Sequence, residues 1–285
     1  DDGVCAHVDD AEWYLSTTSS GASGVEQWLQ WWIQAGWGDG VHLVDLTDQY
    51  SAFNLSGPLS RQVLQPLTDA DLGNESLPYM NTRQIEIDGV PCRLLRIGFT
   101  GELSYEVHCP SGLAQHLWDV IMEAGSKYSI QPFGVEAQRI LRLEKGHIIV
   151  GQDTDAISDP LAANMAWAVK LKKRDFLGKQ ELARIAASGT RQLLVGFKME
   201  RKGTTPKEGM QIVEQNGSGE LKILGWVTSS TFSPTLEESI GLCWLPRERA
   251  EREGASFQIY MDGTLECARV FHGAFYDPAG DKLRS

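Results

Sequence analysis

The sequence predicts an α+β protein with a layered domain over residues 1–190 and a small β-barrel over residues 191–285. Up to about residue 190, strand-like pairs alternate with segments whose apolar residues recur at helical spacing, which is typical of helices packed on a sheet. Beyond Thr190 only short strand-like runs remain, separated by turn residues, and this pattern indicates a small barrel. The domain boundary is therefore placed at residues 188–192.

The first part of the layered domain contains two candidate helices and three candidate strand pairs. A helix is expected over 25–35, with Ser23 as its N-cap. A short helix follows Gly57-Pro58 and should end by Gln65, because Pro66 cannot continue it. The strand pairs are 4–7 with 13–18, 41–46 with 51–55, and 84–87 with 91–97 around the turn Asp88-Gly89.

The rest of the chain is predicted in the same way. Helices are expected over 113–124, 135–144 and 179–187, and a strand over 167–171. Residues 147–163 form a long loop, and such loops inside compact domains are usually functional or mobile. The barrel strands are predicted over 193–199, 211–214, 224–229, 240–244, 257–260 and 267–271.

The stretch from Arg96 to His108 organises the layered domain. Gly98 and Gly101 mark a tight turn, and strict alternation follows it. Residues 103, 105 and 107 take one face of a strand, while 104, 106 and 108 take the other. Glu106 is thus a carboxylate amid apolar neighbours, which is costly unless donors reach it. Either an arginine or a flat heterocycle with adjacent N–H groups, such as a pterin or guanine, would serve, and ion pairs are the commoner case.

Composition excludes some functions. At 285 residues with 42% hydrophobic and 22% charged residues, the chain is an ordinary globular protein without an apolar run long enough for a membrane helix. A net charge of −12 argues against nucleic acid, whose affinity comes from Lys and Arg on phosphates. The five cysteines are widely spaced without a CxxC pair, so we predict buried thiols, no disulfides and a reducing, cytoplasmic location.

Familiar catalytic motifs are missing from the sequence. There is no HExxH, P-loop, GxSxG or dinucleotide-binding GxGxxG, and the six histidines lack metal-ligand spacing. The sequence therefore favours an enzyme that binds and positions its substrates over one that uses a nucleophile or a metal.

The stretch from Arg96 to His108 also carries a family resemblance. Gly-Phe-Thr-Gly-Glu-Leu-Ser-Tyr-Glu-Val, residues 98–107, resembles the signature of the glycine-cleavage T-protein (aminomethyltransferase) family. Three passages are similar to the C-terminal, folate-binding half of heterotetrameric sarcosine oxidase α subunits: 14–21, the Trp-rich run 28–37, and 143–155. Further motifs of the family match in order at residues 1–4, 55–61, 141–146, 151–153, 175–179 and 228–235.

The resemblance implies a T-protein-type folate-binding domain that binds tetrahydrofolate and transfers a one-carbon unit from an amine or iminium. It implies that Asp2 is catalytic, stabilising positive charge or relaying a proton, although Asp1-Asp2-Gly3 by itself reads as an ordinary turn. It implies that Glu106 accepts hydrogen bonds from the pterin. The other folate contacts that it implies are Phe99, Tyr276, Arg142 and Gln152.

Two departures from the family pattern matter. Phe99 stands where the family often has tyrosine, which keeps an aromatic surface but removes a hydroxyl. Gln138 stands where the family frequently has an arginine for the folate tail, and Arg139 is one step further, about 100° around a helix. The family pattern also has a segment before the Asp-Asp turn, so the chain is expected to be a fragment of a longer subunit lacking the first part of the folate domain. FAD is expected only in that missing part or in a partner subunit.

Three functions remain open at this stage. The leading one is the folate module of a sarcosine oxidase-type enzyme, with a methylated amine as substrate and a flavin-containing partner. The second is the glycine cleavage aminomethyltransferase, which docks a lipoyl carrier protein, and the net charge of −12 counts mildly against it. The third is a non-catalytic folate-binding module, whose typical cysteine is absent from the run Lys145–Gln152.

Overall fold

The computed structural model describes all 285 residues and divides them into two compact units. Unit 1 comprises Asp1–Gly134 and Ala279–Ser285, and unit 2 comprises Val135–Pro278. The α+β class and the C-terminal barrel predicted from the sequence are confirmed. The domain boundary predicted near residue 190 stays a prediction.

Unit 1 contains a hairpin and a four-stranded antiparallel sheet. The hairpin pairs β1 (Cys5–His7) with β2 (Trp13–Leu15). The sheet contains β3 (Tyr50–Ser56), β4 (Thr82–Ile87), β5 (Val90–Leu95) and β6 (Ser104–Pro110) in the order β3-β6-β5-β4. β6 is therefore an inner strand, and its register places Glu106 between Asn54 of β3 and Leu95 of β5.

The helices of unit 1 are short. Their bounds are α1 (Ala22–Trp32), which continues as a π-helical turn over Ile33–Trp37, α2 (Ser60–Leu64) and α3 (Ala114–Gly125). A C-terminal turn of helix spans Asp281–Arg284. α2 ends before Pro66, as predicted, and a 3₁₀ turn over Gln65–Leu67 contains the proline. Leu117 and Ile121 of α3 join the apolar core of unit 1.

The alternation predicted for β6 is confirmed by which of its residues join the apolar core. Leu103, Tyr105 and Val107 lie in the core of unit 1 and are at most 2% exposed. Glu106 lies on the opposite face of the sheet and keeps 30% of its side chain exposed. Since successive side chains of a strand point to opposite faces, the apolar residues position the polar ones.

Unit 2 contains two helices of 10 residues each and a closed six-stranded barrel. The helices are α4 (Val135–Glu144) and α5 (Lys179–Ser188), and one helical turn over Arg247–Ala250, α6, connects two barrel strands. The barrel order is β10-β7-β12-β11-β8-β9. Its strands are β7 (Gln192–Met199), β8 (Gln211–Gln215), β9 (Leu221–Ser233), β10 (Glu238–Pro246), β11 (Ser256–Met261) and β12 (Thr264–Phe271).

Four predictions about local structure are wrong. Helix α1 begins at Ala22 behind Gly21, so Ser23 is inside the helix and is not its cap. Residues 41–46 form no strand, because Thr47 donates its N–H to Asp45 Oδ1 at 2.8 Å in a local turn and β3 pairs with β6 instead. Residues 167–171 form no strand, and a 3₁₀ turn, Ala166–Ala168, overlaps their beginning. Cys5 is exposed and Cys267 is half-buried, whereas the sequence predicts that all five thiols are buried.

Candidate functional site

The turn before β6 requires two glycines for different reasons. Gly101 has a φ of +88°, which favours glycine because a Cβ is strained there. At Gly98 a Cβ would lie 2.8 Å from Leu283 Cδ2 and 2.9 Å from the carbonyl oxygen of Glu102. A side chain at either position would shift the turn, and the turn sets where β6 begins.

Glu106 is a carboxylate with only one polar protein contact. Its Oε2 lies 3.3 Å from Nε2 of His108, two residues further along the same face of β6. Oε1 makes no hydrogen bond to the protein, and the side chain is 30% exposed. No guanidinium pairs with Glu106, so of the two alternatives left open by the sequence, the structure removes the arginine ion pair.

His108 connects Glu106 to a tyrosine from the N-terminal hairpin. Oη of Tyr14, on β2, lies 2.8 Å from Nδ1 of His108, whose side chain is only 7% exposed. Burial raises the pKa of Tyr14, the Arg93 guanidinium partly opposes this, and Tyr50 and Glu106 add to it. The structure thus brings together three polar side chains, and sequence reasoning singled out only Glu106.

Arg93 borders the same group without pairing with Glu106. Its guanidinium lies 4.7 Å from the centre of the Tyr14 ring and donates to Glu12 Oε1 at 2.9 Å and to Gln84 Oε1 at 3.2 Å. Both of these hydrogen bonds come from Nη2 and neither goes to Glu106, so this cation shapes the electrostatics of the site and leaves Glu106 accessible.

The other predicted site residues of unit 1 lie outside the sheet. Asp2 is exposed and precedes β1, and its neighbour Asp1 accepts hydrogen bonds from the backbone N–H and the hydroxyl of Thr18 at 3.2 and 2.9 Å. Phe99 is half-buried in the turn before β6. The roles of Asp2 and Phe99 remain predictions.

In unit 2, the predicted folate contact Arg142 is part of a buried ion pair. Its Nη1 donates to Asp153 Oδ2 at 2.6 Å and its Nη2 donates to Ser229 Oγ at 2.7 Å. Asp153 is fully buried and accepts three more hydrogen bonds, from the Ile149 N–H and the hydroxyls of Thr228 and Ser229. Three separate sequence motifs, at 141–146, 151–153 and 228–235, therefore meet in this network, called the Asp153 network below.

Gln152 lies beside the Asp153 network at the edge of a cleft of about 140 Å³. Its amide nitrogen donates to Ser229 Oγ at 2.9 Å and to Glu208 Oε1 at 2.7 Å. Arg139, the cation next to Gln138, also lines this cleft and donates to Glu208 Oε1 at 2.7 Å. Gln152 and Arg142 are thus brought together through Ser229, and their contacts with folate stay predictions.

Tyr276 lies at the other end of helix α4. Its backbone N–H donates to the carbonyl oxygen of Glu144 at 2.8 Å, and the Glu144 carboxylate accepts a hydrogen bond from Ser233 Oγ at 2.5 Å. Glu144 is 2% exposed, so its carboxylate is buried together with this hydrogen bond. The function of the Tyr276 ring stays a prediction.

The family follows from comparison with known proteins. The family model described as the GCVT N-terminal domain matches residues 1–173, and the one described as the glycine cleavage T-protein C-terminal barrel domain matches residues 192–277. The chain belongs to the glycine cleavage T-protein family. The resemblance carried by the sequence motifs is therefore confirmed.

Relatives within this family carry two different names. The α subunit of sarcosine oxidase from Corynebacterium sp. strain P-1 is 34% identical over an alignment of 289 positions, which covers 99% of this chain and 30% of that protein. The aminomethyltransferase of Chlorobium limicola is 33% identical over 265 residues, 93% of this chain and 70% of that protein. The chain therefore spans about 30% of the sarcosine oxidase subunits that it matches.

The fold agrees with a solved member of the family. Glycine cleavage system aminomethyltransferase T from Bartonella henselae superposes with a TM-score of 0.70 and 24% identity, over 80% of this chain and 60% of that one. No group of three His, Cys, Asp or Glu side chains is arranged to hold a metal ion. No helix combines the length and apolar character needed to cross a membrane.

Proposed function

We propose that this chain binds a reduced folate and supports the transfer of a one-carbon unit onto it, as the folate module of a sarcosine oxidase-type enzyme that demethylates an amine. The observation that carries the proposal is Glu106, an accessible carboxylate on an inner strand whose Oε1 has no protein partner. The names of its relatives, sarcosine oxidase subunit alpha and aminomethyltransferase, support the reaction class.

The chemistry of Glu106 fits a pterin. A carboxylate has two oxygens that can accept parallel hydrogen bonds, and a pterin presents an amino group and a ring N–H side by side. Oε2 is already directed by His108, and Oε1 is available. Phe99, on the turn before the same strand, is proposed to add an aromatic surface for the ligand.

The remaining predicted residues take defined roles in this proposal. A bound tetrahydrofolate supplies the nitrogens that accept the one-carbon unit. The Asp2 carboxylate stabilises the positive charge of an iminium or carries a proton to the departing amine. Arg142, Gln152 and Tyr276 are proposed contacts of the folate, and flavin chemistry is assigned to a partner or to another part of the enzyme.

The alternative in the same family is an aminomethyltransferase of the glycine cleavage system. It is favoured by the coverage of the Chlorobium limicola relative, 70% of which aligns with this chain. The donor separates the two functions. An aminomethylated lipoyl carrier protein should be used by an aminomethyltransferase, whereas an oxidase-type module should accept only formaldehyde or a free iminium.

The direct test is binding of 5-formyltetrahydrofolate, a stable reduced folate, measured by calorimetry. Glu106→Ala should weaken binding by about 10- to 100-fold, because hydrogen bonds to a charged group contribute about 1.5–3 kcal/mol. Glu86→Ala is the matched control, since Glu86 is an exposed glutamate on β4 of the same sheet. Unchanged affinity in the Glu106→Ala protein would refute the pterin site.

The catalytic role of Asp2 has a separate test. Formaldehyde and tetrahydrofolate condense without a catalyst, so the readout is the rate of methylenetetrahydrofolate formation above the protein-free reaction. Asp2→Asn should lower this excess rate by about 10²-fold or more, the size of typical acid–base contributions. Asp10→Asn, at an exposed aspartate in the β1–β2 turn, should retain it. Equal rates for Asp2→Asn and wild type would remove the catalytic assignment.

A further inference from the structure

We infer that Tyr14 and His108 form a positioning pair that holds the Glu106 carboxylate with one oxygen presented to a ligand. The inference rests on the proposed function, because it concerns how the proposed pterin-binding carboxylate is oriented. Tyr14 opens the passage 14–21 and His108 follows the signature 98–107 by one residue, but neither was predicted as a site residue, and the fold brings the two together.

His108 lies between Tyr14 and Glu106 and contacts both of them through its ring nitrogens. His108 is 7% exposed, and both of its ring nitrogens are occupied, Nδ1 by Tyr14 Oη at 2.8 Å and Nε2 by Glu106 Oε2 at 3.3 Å. A buried imidazole with both nitrogens bonded cannot rotate without breaking a contact. Glu106 Oε2 is therefore the oxygen held by the protein, and Oε1 is the one left for a ligand.

The proton positions follow from the valence of a neutral imidazole, which has one N–H donor and one acceptor nitrogen. If the phenol of Tyr14 donates to Nδ1, Nε2 carries the proton and donates to an ionised Glu106. The reverse tautomer would require a proton on Glu106. Tyr14 thus selects the tautomer that keeps Glu106 an acceptor on both oxygens, which is the form that a ligand with two N–H groups needs.

The charged and titratable groups around His108 are consistent with a neutral imidazole that donates to an ionised Glu106. The groups facing His108 are Tyr14 from β2, Glu106 on its own strand, and Arg93, directly opposite it on β5. Glu12 accepts a hydrogen bond from Arg93, and Tyr50 of β3 lies edge-on to Tyr14 with the ring centres 6.5 Å apart. Arg93 also lies over the Tyr14 ring, so the cation holds the hairpin tyrosine in place without taking Glu106 as its partner.

Two substitutions of His108 separate its two contacts. In His108→Gln, the amide nitrogen occupies the place of Nε2 and can still donate to Glu106. In His108→Asn, the shorter side chain reaches only toward Tyr14. We expect His108→Gln to bind 5-formyltetrahydrofolate within about threefold of wild type and His108→Asn to bind it about tenfold more weakly, the size of one hydrogen bond to a charged group.

The pH dependence of the affinity for 5-formyltetrahydrofolate gives a second test, because a purely structural role of His108 would not change it. In His108→Asn the carboxylate loses a donor that favours its ionised form, so the pH at which half of the affinity is lost on acidification should move upward. His108→Gln should keep the wild-type profile. Tyr14→Phe should fall between the two, because the imidazole then chooses its tautomer freely. His116→Asn, at an exposed histidine of the same unit, is the control.

The outcomes separate this inference from the proposed function. If Glu106→Ala weakens binding while His108→Asn and Tyr14→Phe match wild type in affinity and pH profile, the positioning pair is refuted and the pterin site stands. If Glu106→Ala has no effect, the proposed function fails first. Equal losses in His108→Gln and His108→Asn would also refute the inference, since a packing defect would not distinguish the two amides.

Discussion

Glu106 in unit 1 and Asp153 in unit 2 are both carboxylates drawn from motifs of the family signature, and their surroundings differ. Asp153 is fully buried, and its two oxygens together accept four hydrogen bonds at 2.5–2.8 Å. Glu106 is 30% exposed and has a single contact, at 3.3 Å. One carboxylate has no acceptor capacity left for a ligand, and the other keeps an entire oxygen.

This difference indicates that Glu106 and Asp153 have different roles, although both are acidic residues within family motifs. A buried carboxylate that has satisfied all of its acceptor sites stabilises the fold that contains it. A carboxylate that the fold leaves partly unsatisfied and exposed is available for binding. The Asp153 network therefore holds unit 2 together, while Glu106 is the residue of unit 1 on which the proposed ligand site depends.

The largest effect should come from breaking the Asp153 network. Asp153→Ala leaves the Arg142 guanidinium buried with no carboxylate, and loss of one partner of a buried ion pair typically costs about 3–5 kcal/mol. The free energy of unfolding, measured by urea denaturation, should fall by that amount. Asp155→Ala, at an exposed aspartate of the same loop, should leave the urea midpoint nearly unchanged.

The double variant Arg142→Met/Asp153→Leu sharpens this test. Replacing both charges with apolar side chains removes the stranded charge, so the double variant should be more stable than Asp153→Ala alone. A wild-type urea midpoint in Asp153→Ala would show that the network does not stabilise unit 2 and would weaken the comparison with Glu106.

Glu106→Gln should have a small effect on stability. The residue has one long contact and a partly exposed side chain, so the free energy of unfolding should change by less than about 1 kcal/mol while the affinity for 5-formyltetrahydrofolate falls. Parallel urea and calorimetric titrations measure both quantities on one sample. A loss of stability as large as that of Asp153→Ala would contradict the assignment of Glu106 to ligand binding.

Local pattern was sufficient for much of the fold. The two-residue period of β6 predicted which of its residues join the apolar core, although Ser104 and His108 on the other face are buried as well. Asp88-Gly89 predicted a hairpin turn in which both residues have positive φ, 49° and 74°. The same reasoning failed at 41–46, because an alternating segment becomes a strand only beside a partner. The strand that follows it, β3, takes β6 as its partner, more than 50 residues away.

The site was predictable only in part for a related reason. Glu106 was found from alternation and from the motif, and His108 could have been found, since it lies two residues away on the same face. Tyr14 could not, because it reaches His108 from 94 residues away through a hairpin whose docking no local pattern reveals. The Asp153 network likewise joins residues up to 87 positions apart. Each motif could be recognised in the sequence, but the contacts between the motifs could not be predicted from it.

The smallest effect concerns the ionisation of Tyr14. Burial raises its pKa and the charge of Glu106 adds to this, so the folded protein keeps the phenol proton at a pH where the unfolded chain, with a pKa near 10, has lost it. The unfolded state then binds fewer protons, and stability falls as the pH rises above about 10. In Glu106→Gln the midpoint of Tyr14 should move toward the ordinary value, and it is taken as the phenolate absorbance difference between each protein and its Tyr14→Phe counterpart. Glu86→Gln, on the same sheet but absent from the groups that act on Tyr14, should leave it in place. An identical midpoint in Glu106→Gln and Glu86→Gln would mean that Glu106 and Tyr14 are not electrostatically coupled, and the contrast between an isolated and a fully bonded carboxylate would then rest on Oε1 alone.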